Sequence, residues 1–139
     1  MIASLLVDTG PLVALLSTRD RYHAWAKEVF AQAGAPLLTC EAVLSEAWYL
    51  LRQTQRGQTA LLELMERGLL AIEFTIASEL GPVRRLVYRY RDQPMSLADA
   101  CLVRMAELND DATVLTLDSD FSVYRKNGRQ VIALIAPFS

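Results

Sequence analysis

Histidine occurs once in these 139 residues, at His23, and cysteine twice, at Cys40 and Cys101. One imidazole excludes zinc sites built on histidine clusters and makes any Ser-His-Asp triad hang on that residue. Two cysteines far apart and outside a C-x-x-C pattern allow one disulfide, but two buried thiols in a reducing compartment are the expectation. Lysine is nearly as rare: Lys27 and Lys126 stand beside 12 arginines. The net charge of −2 excludes gripping nucleic acid by overall charge, so any basic surface must be local. No apolar run approaches the roughly 18 residues of a membrane span. The N-terminal segment lacks the basic stretch of a signal peptide, so a cytoplasmic protein is expected. No Gly/Ser/Pro-rich linker and no repeat divides the chain, which reads as one domain over residues 1–139. What remains is 53% apolar residues, enough for one packed core, and 16 carboxylates to carry any chemistry.

Short apolar runs alternate with amphipathic ones. Residues 2–7, 36–39, 69–74, 113–117 and 131–135 read as strands; 2–7 and 113–117 are nearly all apolar, as in strands buried on both faces. Helices are expected at 11–16, 22–33, 41–55, 58–67, 78–91 and 96–108, with Pro11 and Pro82 in first turns and Gly34 and Gly68 at ends. Residues 126–129 form a turn. Alternating strands and helices predict an α/β sandwich with a parallel sheet covered on both faces.

The carboxylates have distinctive places. Asp8 directly follows the first strand, where open α/β sheets bind ligands, although it equally suits a helix cap with Thr9. Glu46 falls on the stripe of Val43, Ala47, Leu50 and Leu51, so it needs a cation, an arginine or a cleft. Glu41, at the same helix's start, is explained by the helix dipole. Asp99 lies three residues after Ser96, the spacing of a capping box. Asp118 and Asp120 follow the strand 113–117 and also read as turn residues. In a parallel sheet, Asp8 and this pair emerge at one edge. Four acids converging there without cations would repel, and Mg²⁺ or Mn²⁺ with oxygen ligands resolves the conflict. Metals held by carboxylates are a known solution for phosphodiester hydrolysis.

These residues resemble the PIN domain family of small metal-dependent ribonucleases, over essentially the whole chain. The resemblance rests on Asp8-Thr9-Gly10-Pro11-Leu12, Ser45-Glu46-Ala47, Ser96-Leu97-Ala98-Asp99-Ala100 and Thr116-Leu117-Asp118-Ser119-Asp120-Phe121, in this order. It points to VapC-like toxins of toxin–antitoxin pairs. It implies a three-layer α/β/α sandwich with a central parallel sheet of about five strands. It also implies Mg²⁺ or Mn²⁺ as cofactor, RNA as substrate, a homodimer and an antitoxin partner. Asp8, Glu46 and Asp99 match the core acids; Asp118 or Asp120 supplies the fourth, with Asp118 favoured. Thr9 and Thr116 match hydroxyls that orient a carboxylate or a water.

Arginine supplies the basic surface. Arg84, Arg85, Arg89 and Arg91 share one helix with Tyr88 and Tyr90, either as a solvated face or as phosphate contacts beside stacking tyrosines. Arg85, Arg89, Arg125, Lys126 and Arg129 are the RNA-contact candidates, and Arg19 and Arg21 flank the first loop. Trp25, Trp48 and Tyr49 suit core or interface positions, and His23 has no evident partner. A haloacid-dehalogenase-like phosphotransferase would need an acid at Gly10. A receiver domain would need an acidic pair at the first strand end. The remaining alternative to an enzyme is a silent binding module on the same fold.

Overall fold

The computed structural model describes residues 4–34 and 36–138. The described residues form seven strands and six α-helices in the order β1 (Leu5–Val7), α1 (Thr9–Leu16), α2 (His23–Gln32), β2 (Leu37–Thr39), α3 (Glu41–Leu50), α4 (Gly57–Glu66), β3 (Leu70–Ile72), α5 (Leu80–Arg89), α6 (Leu97–Leu108), β4 (Thr113–Leu115), β5 (Arg125–Lys126), β6 (Gln130–Val131) and β7 (Ala133–Ile135). Five strands form one sheet in the order β3-β2-β1-β4-β7, and every pairing is parallel. This is the flanked parallel sheet expected. Residues 2 and 3 of the first predicted strand lie outside the described residues.

Burial explains the layout. Leu6, Val7, Val114 and Leu115 are wholly buried, as central strands covered on both faces must be. Helix α6 crosses over β1 and β4 and packs against α3 and α5. Its Ala98, Cys101, Leu102 and Met105 are all buried, so it is hydrophobic almost all round. Cys40 and Cys101 are free thiols within this core. His23 does find a partner: its Nδ1 donates to the Ala14 carbonyl at 2.8 Å, tying α2 to α1.

Three elements depart from the sequence reading. The helix expected over 78–91 is a 3-10 turn, Ile76–Glu79, followed by α5, which ends at Arg89 and leaves Arg91 beyond it. Helix α3 stops at Leu50 rather than running to 55. Beyond Leu51 the chain is polar through Arg56, so no apolar stripe holds another turn on the core. The last expected strand is two strands. Gln130–Val131 pairs antiparallel with β5, and Ala133–Ile135 joins the main sheet. The hairpin turn between β5 and β6 needs positive φ at Asn127 (51°) and Gly128 (87°), which these two residues tolerate.

The register sets up the site. Val7 is opposite Leu115, and Leu115 is opposite Ile135, so the carboxyl ends of these strands lie level. Asp8 extends the ladder by donating its N–H to the Leu115 carbonyl at 3.0 Å.

Candidate metal centre

Asp8 leaves β1 as the N-cap of α1, with Oδ1 accepting from the Thr9 N–H at 2.7 Å. Capping and site placement are therefore one arrangement. Its Oδ2 accepts from the Thr116 hydroxyl at 2.7 Å. The same Thr116 oxygen accepts the Asp118 N–H at 2.9 Å, so one threonine aligns two acids. Gly10 lets α1 start close to the end of β4: a Cβ there would meet Leu117 side-chain atoms at 3.1 Å.

Asp99 also serves twice. The capping box is formed: the Ser96 hydroxyl accepts from the Asp99 N–H at 3.0 Å, and Asp99 Oδ2 accepts from the Ser96 N–H at 3.3 Å. Its Oδ2 further accepts from the Tyr124 hydroxyl at 3.0 Å. Tyr124 is fully buried, with Tyr90 and Phe121 packed edge-on at 5.1 and 5.2 Å. Burial and the Asp99 charge raise the pKa of this phenol, keeping it a donor. Nothing in the sequence marked Tyr124; a phenol four residues past Asp120 carries no spacing signal.

Asp8, Asp99 and Asp118 offer carboxylate oxygens all within 4.8 Å of one another. Among the described residues, no lysine, arginine or histidine pairs with any of the three. Hard oxygen donors gathered at one point without a cation fit a divalent ion such as Mg²⁺ or Mn²⁺. Burial is the main cause that raises the Asp8 pKa to about 6, and the neighbouring charges of Asp99 and Asp118 add to it. Asp99 is raised by burial first and by Asp118 as well.

Glu46 stands at the cleft rather than in the core. It is exposed on α3, while Val43 and Ala47 on the same helix are buried. Its Oε1 accepts from the Thr9 hydroxyl at 2.9 Å, which links it to the Asp8 segment. Leu50, expected on the core stripe, is exposed beside it. Glu46, Leu50 and the three aspartates line a cleft of about 560 Å³. Asp120 is outside the three-acid cluster; its N–H donates to Asp118 Oδ1 at 2.9 Å in the short 3-10 turn after β4.

The arginine candidates separate. Arg84, Arg85 and Arg89 are exposed on α5 and line a groove of about 880 Å³ toward α6 and Asn127. Arg125 turns its Nη1 back on the Ser122, Val123 and Tyr124 carbonyls. Lys126 is buried, and its ammonium donates to the Asp110 carbonyl at 3.1 Å. Arg129 is exposed on the hairpin.

The raised Asp8 pKa has a measurable consequence. Its folded value, about 6, exceeds the ordinary 3.8, so the native state binds this proton more tightly than the unfolded chain. The ionised carboxylate costs stability above about pH 6, and the cost is relieved as pH falls toward 4. The difference corresponds to about 3 kcal/mol. Chelator-treated protein should therefore melt higher at pH 5 than at pH 7.5. A melting temperature that falls as the pH is lowered from 7.5 to 5 would contradict the assignment.

A parallel five-stranded sheet with three acids gathered at its carboxyl edge defines a class. The sequence model of the PIN domain matches residues 5–127, and the chain belongs to the PIN domain family. Within it, the chain is similar to VapC proteins. It is 29% identical over 127 residues to Ribonuclease VapC26 of Mycobacterium tuberculosis, covering 89% of this chain and 94% of that protein. The crystal structure of Mycobacterium tuberculosis VapC20, a toxin that cleaves the sarcin–ricin loop, matches with a TM-score of 0.77 at 24% identity. That match covers 86% of this chain and 94% of that one. VapBC2 from Rickettsia felis, solved on a DNA fragment from its promoter, matches with a TM-score of 0.59 at 13% identity over 98% of each chain. The two structural likenesses speak to the fold.

Proposed function

We propose that this chain is a Mg²⁺- or Mn²⁺-dependent ribonuclease and the toxin of a toxin–antitoxin pair. The observation that carries the reading is the gathering of Asp8, Asp99 and Asp118 oxygens within 4.8 Å, with no basic partner among the described residues. The similarity to Ribonuclease VapC26 supports RNA as the substrate class. The likeness to VapBC2 supports an antitoxin partner; the same proposal includes a homodimer acting in the cytoplasm, with the antitoxin masking the cleft.

Asp8, Asp99 and Asp118 would hold the ion, with Glu46 at the mouth and Asp120 bonded to Asp118 outside the cluster. When bound, a divalent ion acidifies a water and offsets charge building on the phosphate. The protein holds every donor in advance. Thr116 fixes Asp8 Oδ2, and Tyr124 with the Ser96 N–H fixes Asp99. Thr9 occupies Glu46 Oε1, which leaves Oε2 to accept a hydrogen from water at the cleft mouth. Hydrolysis adds hydroxyl to phosphorus and a proton to the departing 3′ oxygen, giving 5′-phosphate and 3′-hydroxyl ends. The test is cleavage of a single-stranded RNA panel with Mn²⁺ and with chelator. Cleavage that needs the metal supports the reading, and no cleavage of any RNA favours a silent binding module.

The α5 arginines are the proposed phosphate contacts. Arg85→Ala should weaken RNA binding and lower the slope of log K against log salt by about 0.7, one counterion's worth on a single strand. Turnover at saturating RNA should not change. An unaltered salt slope would mean that Arg85 belongs to a solvated face only.

A further inference from the structure

Helix α3 carries three large apolar side chains in succession that the core does not take. Trp48 is 44% exposed, Tyr49 60% and Leu50 53%, while Val43, Ala47 and Leu51 face inward. Three consecutive exposed apolar residues on a helix call for a function. Their position supplies one, because Glu46 stands one turn before Leu50 on the same helix. A second cavity, about 500 Å³, is lined by Ser45, Glu46, Tyr49 and Leu50. It shares Glu46 and Leu50 with the acid cleft, so the two spaces border the same two side chains.

The aromatic ring is held in place. The Arg52 guanidinium lies 3.8 Å from the Tyr49 ring centroid, and its Nη1 donates to the Tyr49 carbonyl at 2.8 Å. One contact stacks the cation on the ring, and the other fixes its distance along the chain. The result is a flat, exposed π-surface carrying a positive charge, beside a site that must admit a phosphodiester. A base wants a π-face, its phosphate wants the guanidinium, and an apolar protein segment has no use for the charge.

We propose that Tyr49 and Leu50, clamped by Arg52, form a nucleobase subsite that stacks one unpaired base of single-stranded RNA next to the phosphate in the acid cleft. The proposal rests on the ribonuclease reading and deepens it. It makes Tyr49 a positioning residue: by stacking a neighbouring base, it sets which phosphate reaches Asp8, Asp99 and Asp118.

The test separates stacking from charge and from folding. Fluorescein-labelled A, C and U oligoribonucleotides of about 12 residues, and an abasic ribose-phosphate oligomer of equal length, are titrated by anisotropy with Mg²⁺ present. The protein carries Asp8→Asn so that RNA survives the measurement. Adding Tyr49→Ala should weaken binding of at least one base-bearing oligomer roughly 10- to 100-fold, the size of one lost stack. Tyr49→Phe should stay within about threefold of the parent, since it keeps the ring. The abasic oligomer should bind equally to Tyr49 and Tyr49→Ala proteins. Equal affinity for every base-bearing oligomer overturns the subsite. So does an equal loss on the abasic one, or a change in sedimentation with RNA binding unchanged, which would make this face a subunit interface. The two readings fail separately. Tyr49-dependent binding by a protein that cleaves nothing ends the ribonuclease reading alone. Metal-dependent cleavage with an unchanged KM in Tyr49→Ala ends the subsite alone.

Discussion

Asp8→Asn should end RNA cleavage, with a rate loss of at least about 10²-fold, while leaving the fold intact. The loss follows from ligand chemistry: a neutral amide holds a hard divalent ion far less well than a carboxylate. The fold survives because the amide can satisfy the same neighbours. Its oxygen accepts from the Thr9 N–H, and its NH₂ donates to Thr116 if that hydroxyl turns around. The substitution also removes a buried charge whose pKa is pushed up to about 6, so the metal-free variant should melt no lower than the parent at pH 7.5. Cleavage is read on single-stranded RNA with Mn²⁺, using protein free of any antitoxin. Equal cleavage by parent and variant would mean a contaminating nuclease or a wrong site.

Asp8 and Asp118 were legible because strand ends are legible. An all-apolar run that stops at an acid fixes the residue's height in a parallel sheet, and the paired register of Val7 with Leu115 brings both acids to one edge. Asp99 was legible as a helix start, yet the spacing that announces a capping box says nothing of Tyr124 arriving from 25 residues away. Glu46 was read on the core stripe because it is three residues from Val43 and four from Leu50. The buried line runs Val43, Ala47, Leu51, and Glu46 with Leu50 forms the adjacent line, which opens on the cleft. Periodicity finds an apolar face but does not say where its boundary falls. The choice between Asp118 and Asp120 turns on a single 3-10 turn, in which Asp118 caps and its side chain takes the Asp120 N–H. Lys126 read as an RNA-contact candidate because turn composition reports polarity, while its long stem lets the ammonium reach the Asp110 carbonyl from a buried position.

Divalent metal should raise the melting temperature of the parent protein, and Asp99→Asn should remove most of that rise. A ligand at 100 times its Kd adds about 2.7 kcal/mol to the native state. For a domain of this size that is roughly 10 °C. Asp99 joins the three-acid cluster and also closes the capping box, so its two roles must be separated. Asparagine separates them. The Asp99 N–H still donates to the Ser96 hydroxyl, because that bond uses the backbone of residue 99. The amide oxygen still accepts from Tyr124 or the Ser96 N–H. What disappears is the charge that Asp8 and Asp118 repel, so the metal-free variant should be at least as stable as the parent at pH 7.5. Ser96→Ala is the converse: it should cost about 1 kcal/mol as a lost cap, and leave the metal-induced rise intact. An Asp99→Asn protein clearly less stable without metal, yet with the parent's full rise on adding it, would assign this carboxylate to the helix cap and take it out of the metal centre.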